Sequence, residues 1–382
     1  MSEQPIYLDY NGTTPIAAGV AEAMLPYLTE HFGNPSSASP YGATAKQAVE
    51  SARRQVASLI GCNPTEVIFT SGGTESNNYA IKGAALAHRA QGNHIITSAV
   101  EHPAVIEVCR WLEAQGFRIT VLPVDGTGLV SADDLKQALT PHTTLVTIMH
   151  ANNEVGTIQP IAELAEIAHA HGALVHTDAA QSIGKIAVNV DDLGVDLLSI
   201  AAHKLYAPKG IGALYVRDGV ELAPLIHGAG QESGRRPGTE NVLEIVGLGK
   251  AAEIAAQDLE KNQLHFQAMR DRLHDRLLHE LDGAMVRLNG HLDKRLPNTL
   301  SLSFRGTEAS ALLVDISDRV AVSAGAACHA DSTDISAVLR AMDVPLEWAM
   351  GTLRFSVGRA TTAEEIDTTV QVVAEEVRKR WI

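Results

Sequence analysis

Read for the spacing of its apolar positions, the chain alternates between two textures through most of its length. The runs EVIFT (66–70), HIITSAV (94–100), RITVLPV (118–124), TLVTIMH (144–150), LVHTDAA (174–180) and LLSIAAH (197–203) are nearly continuously apolar. Runs that do not alternate predict strands buried on both faces, the habit of parallel sheets. Segments of helical period lie between them. In AKQAVESARRQVASLIG (45–61) the positions Ala48, Val49, Ala52, Val56 and Ile60 form one stripe. In IAELAEIAHAHG (161–172) Leu164, Ile167 and Ala168 do so, with Gly172 placed as the C-cap. Alternation of this kind predicts βαβ units and an α/β fold with a mostly parallel sheet.

Beyond residue 250 the texture changes. Residues 251–281 read as one long helix, and NTLSLSF (298–304) and LRFSVG (353–358) as alternating strands. The closing helix shows a Thr362–Glu365 capping box and a stripe of Ile366, Val370, Val373 and Val377. The expected organisation is a large α/β domain over 16–257 and a smaller α+β domain made by 258–382 with 1–15.

Composition narrows the class. Among 382 residues, 45% are hydrophobic and 20% charged, which suits a globular chain and excludes a disordered one. Thirty basic against 45 acidic residues leave a net charge of −15, a field that repels phosphate backbones, so no direct nucleic-acid partner is expected. No apolar run is long enough to span a membrane, and the acidic N-terminus lacks the pattern of a secretory leader. Three cysteines, Cys62, Cys109 and Cys328, are too few and too odd in number for a disulfide framework. Reduced thiols in a cytoplasmic protein are the expectation.

Lys204 follows the run LLSIAAH, where a buried charge is costly. Beside His203 it is a candidate for an amine of depressed pKa that forms a Schiff base, although a surface loop lysine fits this segment alone equally well. Asp178 ends the run LVHTD, 26 residues earlier, at the strand end where α/β folds bind ligands. An acid for a pyridinium nitrogen and a lysine for an aldehyde are the two handles that pyridoxal phosphate requires. FTSGGTESNN supplies a third feature: a strand end, then Gly72 and Gly73, then a helix start at Thr74 suited to a phosphate. A plain tight turn has the same spelling.

Two other patterns carry no chemistry. GLGKAA (247–252) matches a dinucleotide fingerprint, but it lies within a helical pattern with no strand before it. His169, His171 and His176 straddle a helix end, a turn and a strand, so no metal site is expected. Cys328 differs from the other cysteines, because VSAGAACHADS surrounds it with small residues rather than core-forming ones. A thiol so placed, beside His329, reads as a mobile nucleophile.

Together these segments resemble the cysteine desulfurases, which belong with the selenocysteine lyases to the pyridoxal-phosphate-dependent class V aminotransferases. YLDYNGTTP, GNPSS, TSGGTESNN, SAVEHPAV, ANNEVGTIQP, HTDAAQ, AHKLYAPKGIGALYVR, RRPGTENV, GAACHADS and LRFSVGR stand in that family's order from end to end. The resemblance implies fold type I of the pyridoxal phosphate enzymes. It also implies roles. Lys204 would hold the cofactor and move the Cα proton, and Asp178 would pair with the ring nitrogen. His102 would stack on the ring and take the substrate thiol proton. Gln181 and Asn153 would fix the ring oxygen and its neighbours, while Gly73, Thr74 and His203 would hold the phosphate. Thr239 would reach the phosphate of a partner subunit, which implies a homodimer. Arg354 would clamp the substrate carboxylate, Asn34 lies in the substrate-pocket motif, and Cys328 would carry the sulfur as a persulfide to an acceptor protein. One departure stands out: Ala201 and Ala202 precede His203 where the family commonly has Ser-Gly, so a phosphate-contacting hydroxyl is absent. The implied reaction is L-cysteine to L-alanine for iron–sulfur cluster, thio-cofactor or tRNA sulfur supply. L-selenocysteine is the alternative substrate, and a non-catalytic pyridoxal-phosphate-binding partner is the reading from a different class.

Overall fold

The computed structural model describes residues 4–324 and 335–380. After the short β1 (Ile6–Tyr7) come β2 (Val67–Thr70), β3 (His94–Ser98), β4 (Arg118–Leu122), β5 (Thr143–Thr147), β6 (Leu174–Asp178), β7 (Leu197–Ala201) and β8 (Gly212–Val216). Strands β2 to β8 form a seven-stranded sheet in the order β2-β8-β7-β6-β5-β3-β4. The pairs β3–β4, β3–β5, β5–β6 and β6–β7 are parallel, and β8 runs antiparallel to both β2 and β7. The sheet is therefore mixed but mostly parallel, and the fold is α/β as the pattern predicts. Because β8 reverses direction twice over, β2 ends on the same edge as β6 and β7.

The continuous apolar runs have their cause in two helical layers. One apolar cluster gathers Val56, Ile60, Val146, Leu164, Ile200 and Leu248 on one side of the sheet. Another gathers Tyr79, Ile81, Val105, Leu112, Ile95 and Leu214 on the other. β4, at the edge, departs most from burial on both faces, with Val121 half exposed. β8 has no place in the sequence reading: GALYV is fully buried, but its short run merges into the Lys204 loop motif.

Helix boundaries show where tertiary context overrides the pattern. The first long helix spans Pro40–Ile60, opened by Ser39 and closed by Gly61 at φ 72°. The helix Ile161–His169 ends before Gly172, and Ala170 is its C-cap residue. Residues 251–281 are two helices, Val242–Gln257 and Leu259–Glu280, broken at Asp258 (φ −103°, ψ 10°). GLGKAA lies inside the first of these, and its glycines serve packing. A Cβ on Gly249 would lie 2.5 Å from Ala52 Cα on the helix Pro40–Ile60.

The C-terminal part builds its own sheet from β9 (Val286–Asn289), β10 (Thr299–Phe304), β12 (Ser323–Ala324) and β13 (Thr352–Ser356), in the order β12-β13-β10-β9 and antiparallel throughout. β11 (Val320–Ala321) pairs in parallel with β1, so the N-terminal segment joins this part of the molecule. The closing helix Ala363–Arg380 covers the sheet with Ile366, Val370, Val373 and Val377. Its capping box is formed: Glu365 N–H donates to Thr362 Oγ1 (3.2 Å) and Thr362 N–H to Glu365 Oε2 (2.7 Å). Among the described residues no helix is long and apolar enough to cross a membrane.

Candidate active site

A cavity of about 340 Å³ opens at the carboxyl ends of β2, β6 and β7, a volume within the range of small-molecule sites. Each strand delivers one group to it. After β7 the chain tightens into a 3₁₀ turn, Ala202–Lys204, which swings the lysine back over the strand end. Lys204 Nζ donates to the Gly12 carbonyl (2.6 Å) and to that of Asn11. Burial, and then the Arg354 cation, lower its pKa to about 8, against the pull of Asp9 and Asp178. About a fifth of the amine is thus neutral near pH 7.4, against about a thousandth at the usual lysine pKa.

β6 ends in Asp178, which is buried. Its Oδ1 accepts from Ala180 N–H (2.9 Å) and its Oδ2 from Asn77 Nδ2 (2.7 Å). After β2, Gly72 at φ 150° lets the chain turn straight into the helix Gly73–Ala87. Gly73 and Thr74 line the cavity, and first-turn N–H groups have no acceptor within their own helix. They form an anion cradle reinforced by the helix dipole. Gly212 keeps this corner tight, since a Cβ there would meet Gly72 Cα at 2.7 Å.

His102 caps the helix Pro103–Ala114, its Nδ1 accepting from Ala104 N–H (3.1 Å). Burial and the Lys204 charge lower its pKa, while Asp178 opposes them. A neutral ring with Nδ1 occupied as an acceptor carries its proton on Nε2. His102 therefore faces the cavity as a hydrogen-bond donor, and taking a thiol proton requires release of that cap. His203, whose pKa burial and the neighbouring Lys204 lower to about 4, is a neutral ring bonded to Thr13 Oγ1 (3.1 Å).

The opposite wall comes from distant sequence. Arg354 on β13 donates to Asp9 Oδ1 (2.6 Å), Ser323 Oγ (2.9 Å) and the Asn153 carbonyl (3.1 Å). Its Nε is buried without a partner among the described residues. Gln181 Nε2 donates to the Asn11 carbonyl (3.1 Å).

Lys204, Asp178, His102, His203, Gln181 and Arg354, with Gly73, Thr74 and Asn153, thus share one cavity. Asn34 and Thr239 do not line it. Asn34 is exposed and closes a turn, its Oδ1 accepting from Ser36 N–H (2.9 Å), and Thr239 is exposed beyond Pro237. Cys328 and His329 lie outside the described residues. Burial pushes the thiols of Cys62 and Cys109 up to about 12, so neither is a thiolate at neutral pH. The three histidines set aside above have separate partners: His169 meets Asp196, His171 the Ile167 carbonyl, and His176 both Thr147 and Ser199. Among the described residues no His, Cys, Asp or Glu cluster could hold a metal.

Three contributors escaped the sequence reading. Asn77 lies one helical turn past Gly73, and that i, i+4 spacing is the signal that places it beside Asp178. Asn11 and Gly12 act through main-chain carbonyls, for which no residue type is diagnostic.

The sequence profile of the class-V aminotransferases matches residues 6–369. A cysteine desulfurase IscS of Dictyoglomus turgidum is 50% identical over 380 residues, covering 99% of this chain and 95% of that protein. A solved NifS-like protein superposes with a TM-score of 0.92 at 38% identity, covering 98% of this chain and 100% of the other. A structure described as SspA in complex with cysteine gives 0.82 at 40% identity, over 94% and 100%. Cavity and relatives agree: the chain belongs to the class-V aminotransferase family and, within it, to the cysteine desulfurases.

Proposed function

We propose that the chain uses pyridoxal phosphate to convert L-cysteine to L-alanine and carries the released sulfur on Cys328. The observation behind this reading is the convergence of Lys204, Asp178 and the N-terminus of Gly73–Ala87 on one cavity. An amine of pKa about 8, a buried carboxylate and an anion cradle fit the aldehyde, ring nitrogen and phosphate of that cofactor. Bound there, the cofactor supplies a protonated ring that withdraws electrons from the substrate's Cα.

The chain's own groups do the rest. Asp178, oriented by Asn77 and Ala180, keeps the ring nitrogen protonated. Gly73, Thr74 and His203 hold the phosphate, Gln181 and Asn153 the ring oxygen and its surroundings, and His102 covers the ring. Lys204 Nζ would hold the cofactor's aldehyde, and its amine would accept the Cα proton. Arg354 takes the substrate carboxylate, a planar bidentate match. The Cys328 thiolate attacks the substrate sulfur: a new S–S bond forms, the C–S bond breaks with its electron pair, and protonation of the remaining fragment gives L-alanine. The persulfide passes to an acceptor protein. Two of the three relatives described above carry cysteine in their descriptions, which favours sulfur over selenium. The reading includes a cytoplasmic homodimer in which Thr239 reaches the partner's phosphate. It also divides the chain into a large unit (16–257) and a smaller one (1–15 with 258–382).

The test is to supply purified protein and pyridoxal phosphate with L-cysteine and a thiol reductant, and to measure alanine and sulfide in wild type and Cys328→Ala. Equal release of both products by wild type, lost in the variant, is expected. No cofactor absorbance, or undiminished alanine from the variant, overturns the reading.

A further inference from the structure

Beneath the cavity lies a lysine that the reaction above does not use. In HTDAAQSIGK the turn after β6 closes at Gly184, φ 71°, where a Cβ would lie 2.2 Å from Leu205 Cδ1. That left-handed backbone favours glycine, and any side chain there would have to displace Leu205. The turn folds Lys185 back against Gln181, and Lys185 is buried at 5% exposure. Its Nζ donates to Gln181 Oε1 (2.7 Å) and to Asn11 Oδ1 (2.9 Å). Among the described residues no carboxylate pairs with it. Burial, with the Lys204 and Arg354 cations, holds its pKa well below the usual lysine range.

A buried amine without a counter-ion is a costly arrangement, and this one is aimed at two side-chain amides. Nζ gives an N–H group to each, and each amide turns its oxygen that way because its NH2 end is given to a main-chain carbonyl, which can only accept: Asn11 Nδ2 to that of Asn153 (3.2 Å) and Gln181 Nε2 to that of Asn11 (3.1 Å). That settles the orientation of each amide. Asn11, with Oδ1 held by Lys185 and by Asn298 Nδ2 (2.9 Å), gives Nδ2 to Thr299 Oγ1 (2.8 Å). The Asn11 main-chain carbonyl is thereby fixed where it accepts from both Lys204 Nζ and Gln181 Nε2. Gln181, with Oε1 turned to Lys185, keeps its NH2 end for the Asn11 carbonyl and for one further acceptor.

We propose that Lys185 is a positioning residue. Its Nζ locks the Asn11 and Gln181 amides, and so aims the Asn11 carbonyl at Lys204 and the Gln181 NH2 group at the ring oxygen of pyridoxal phosphate. This rests on the cofactor reading above. Remote burial alone would change stability; a lock on Gln181 changes cofactor binding through that residue.

The two roles separate in a double-mutant cycle of Lys185→Met and Gln181→Ala, read by pyridoxal phosphate dissociation constant, the pH titration of its bound absorbance band, and apoprotein thermal unfolding. Leaving two buried acceptors unpaired costs each its desolvation, so Lys185→Met should weaken cofactor binding about tenfold and shift the titration. With Gln181→Ala already present, the further loss should fall below about threefold, because coupled residues are non-additive. A wild-type constant and titration in Lys185→Met, or the same loss in both backgrounds, overturns the inference. Should Lys185→Met not fold, Lys185→Gln goes through the same cycle with the same criteria. Wild-type protein that fails to bind pyridoxal phosphate counts instead against the proposed function.

Discussion

One wall of the cavity is made by the carboxyl ends of β2, β6 and β7, the other by the Asn11–Gly12 segment, Asn153 and Arg354 on β13. In the first wall each group lies within a few residues of a strand end, and its neighbours in sequence set its place. Asp178 ends β6, Lys204 follows β7 by three residues, and Gly73 follows β2 by three. The second wall depends on contacts between residues hundreds of positions apart: Arg354 with Asp9, Asn11 with Thr299 and Asn298. The first wall offers the groups that suit the cofactor. The second offers the cation that suits a substrate carboxylate. Damage to the two walls should therefore appear in different kinetic constants.

The largest effect is expected in the first wall. Lys204→Ala removes both the aldehyde partner and the base, and turnover should fall by about 10³-fold or more. Steady-state alanine formation measures it, and a variant within tenfold of wild type would break the assignment of the first wall to catalysis. In the second wall, Arg354→Ala should raise KM for L-cysteine by about 10²-fold, the scale of a lost charge-assisted bidentate contact. Its dissociation constant for pyridoxal phosphate should stay within about threefold of wild type. A comparable loss of cofactor affinity would show that the walls do not divide the work.

This division also explains what could be read from the sequence. Strand-end groups announce themselves because a Lys or Asp closing an apolar run is locally anomalous, so Lys204, Asp178 and the Gly72–Gly73 turn were visible from composition and spacing. Residues of the second wall carry no such mark. Arg354 emerged only through resemblance of LRFSVGR to the family, and the Asn11 carbonyl did not emerge at all. The break at Asp258 is likewise hidden, since residues 251–281 keep a helical period across it while the first helix is set by its packing, Gly249 on Ala52 included. Asn34 and Thr239 were legible as motifs, yet a single chain leaves both outside the cavity.

A smaller effect tests the electrostatics of the first wall. Burial and Arg354 hold Lys204 at about 8, so its amine loses its proton as the pH rises through that value. Only the neutral amine attacks an aldehyde. The rate at which apoprotein captures pyridoxal phosphate should therefore rise about tenfold per pH unit up to about 8 and level off above it. Arg354→Ala, removing a cation that favours the neutral amine, should move the plateau to higher pH. Stopped-flow absorbance would follow the capture. A rate still rising at pH 10 would mean that Lys204 keeps an ordinary pKa.

The smallest expected effect comes from Ala201, where the family commonly has a serine. Ala201 lines the cavity beside the anion cradle, and its Cβ would lie only 3.1 Å from a Cβ built on Gly73. The position is thus close enough to the helix N-terminus for a hydroxyl to join the phosphate contacts, and it has a methyl group instead. Ala201→Ser adds one oxygen to a buried strand end facing the cavity. A hydrogen bond to a phosphate oxygen is charge-assisted, but the serine must give up some side-chain freedom to make it. A net gain of about 1 kcal/mol corresponds to roughly fivefold tighter binding. Titration of apoprotein with pyridoxal phosphate should show that tightening, with KM for L-cysteine unchanged because the second wall is untouched. Weaker binding would mean that the hydroxyl meets no phosphate oxygen and is left unpaired at a strand end, and the cradle would then have to lie elsewhere along the helix.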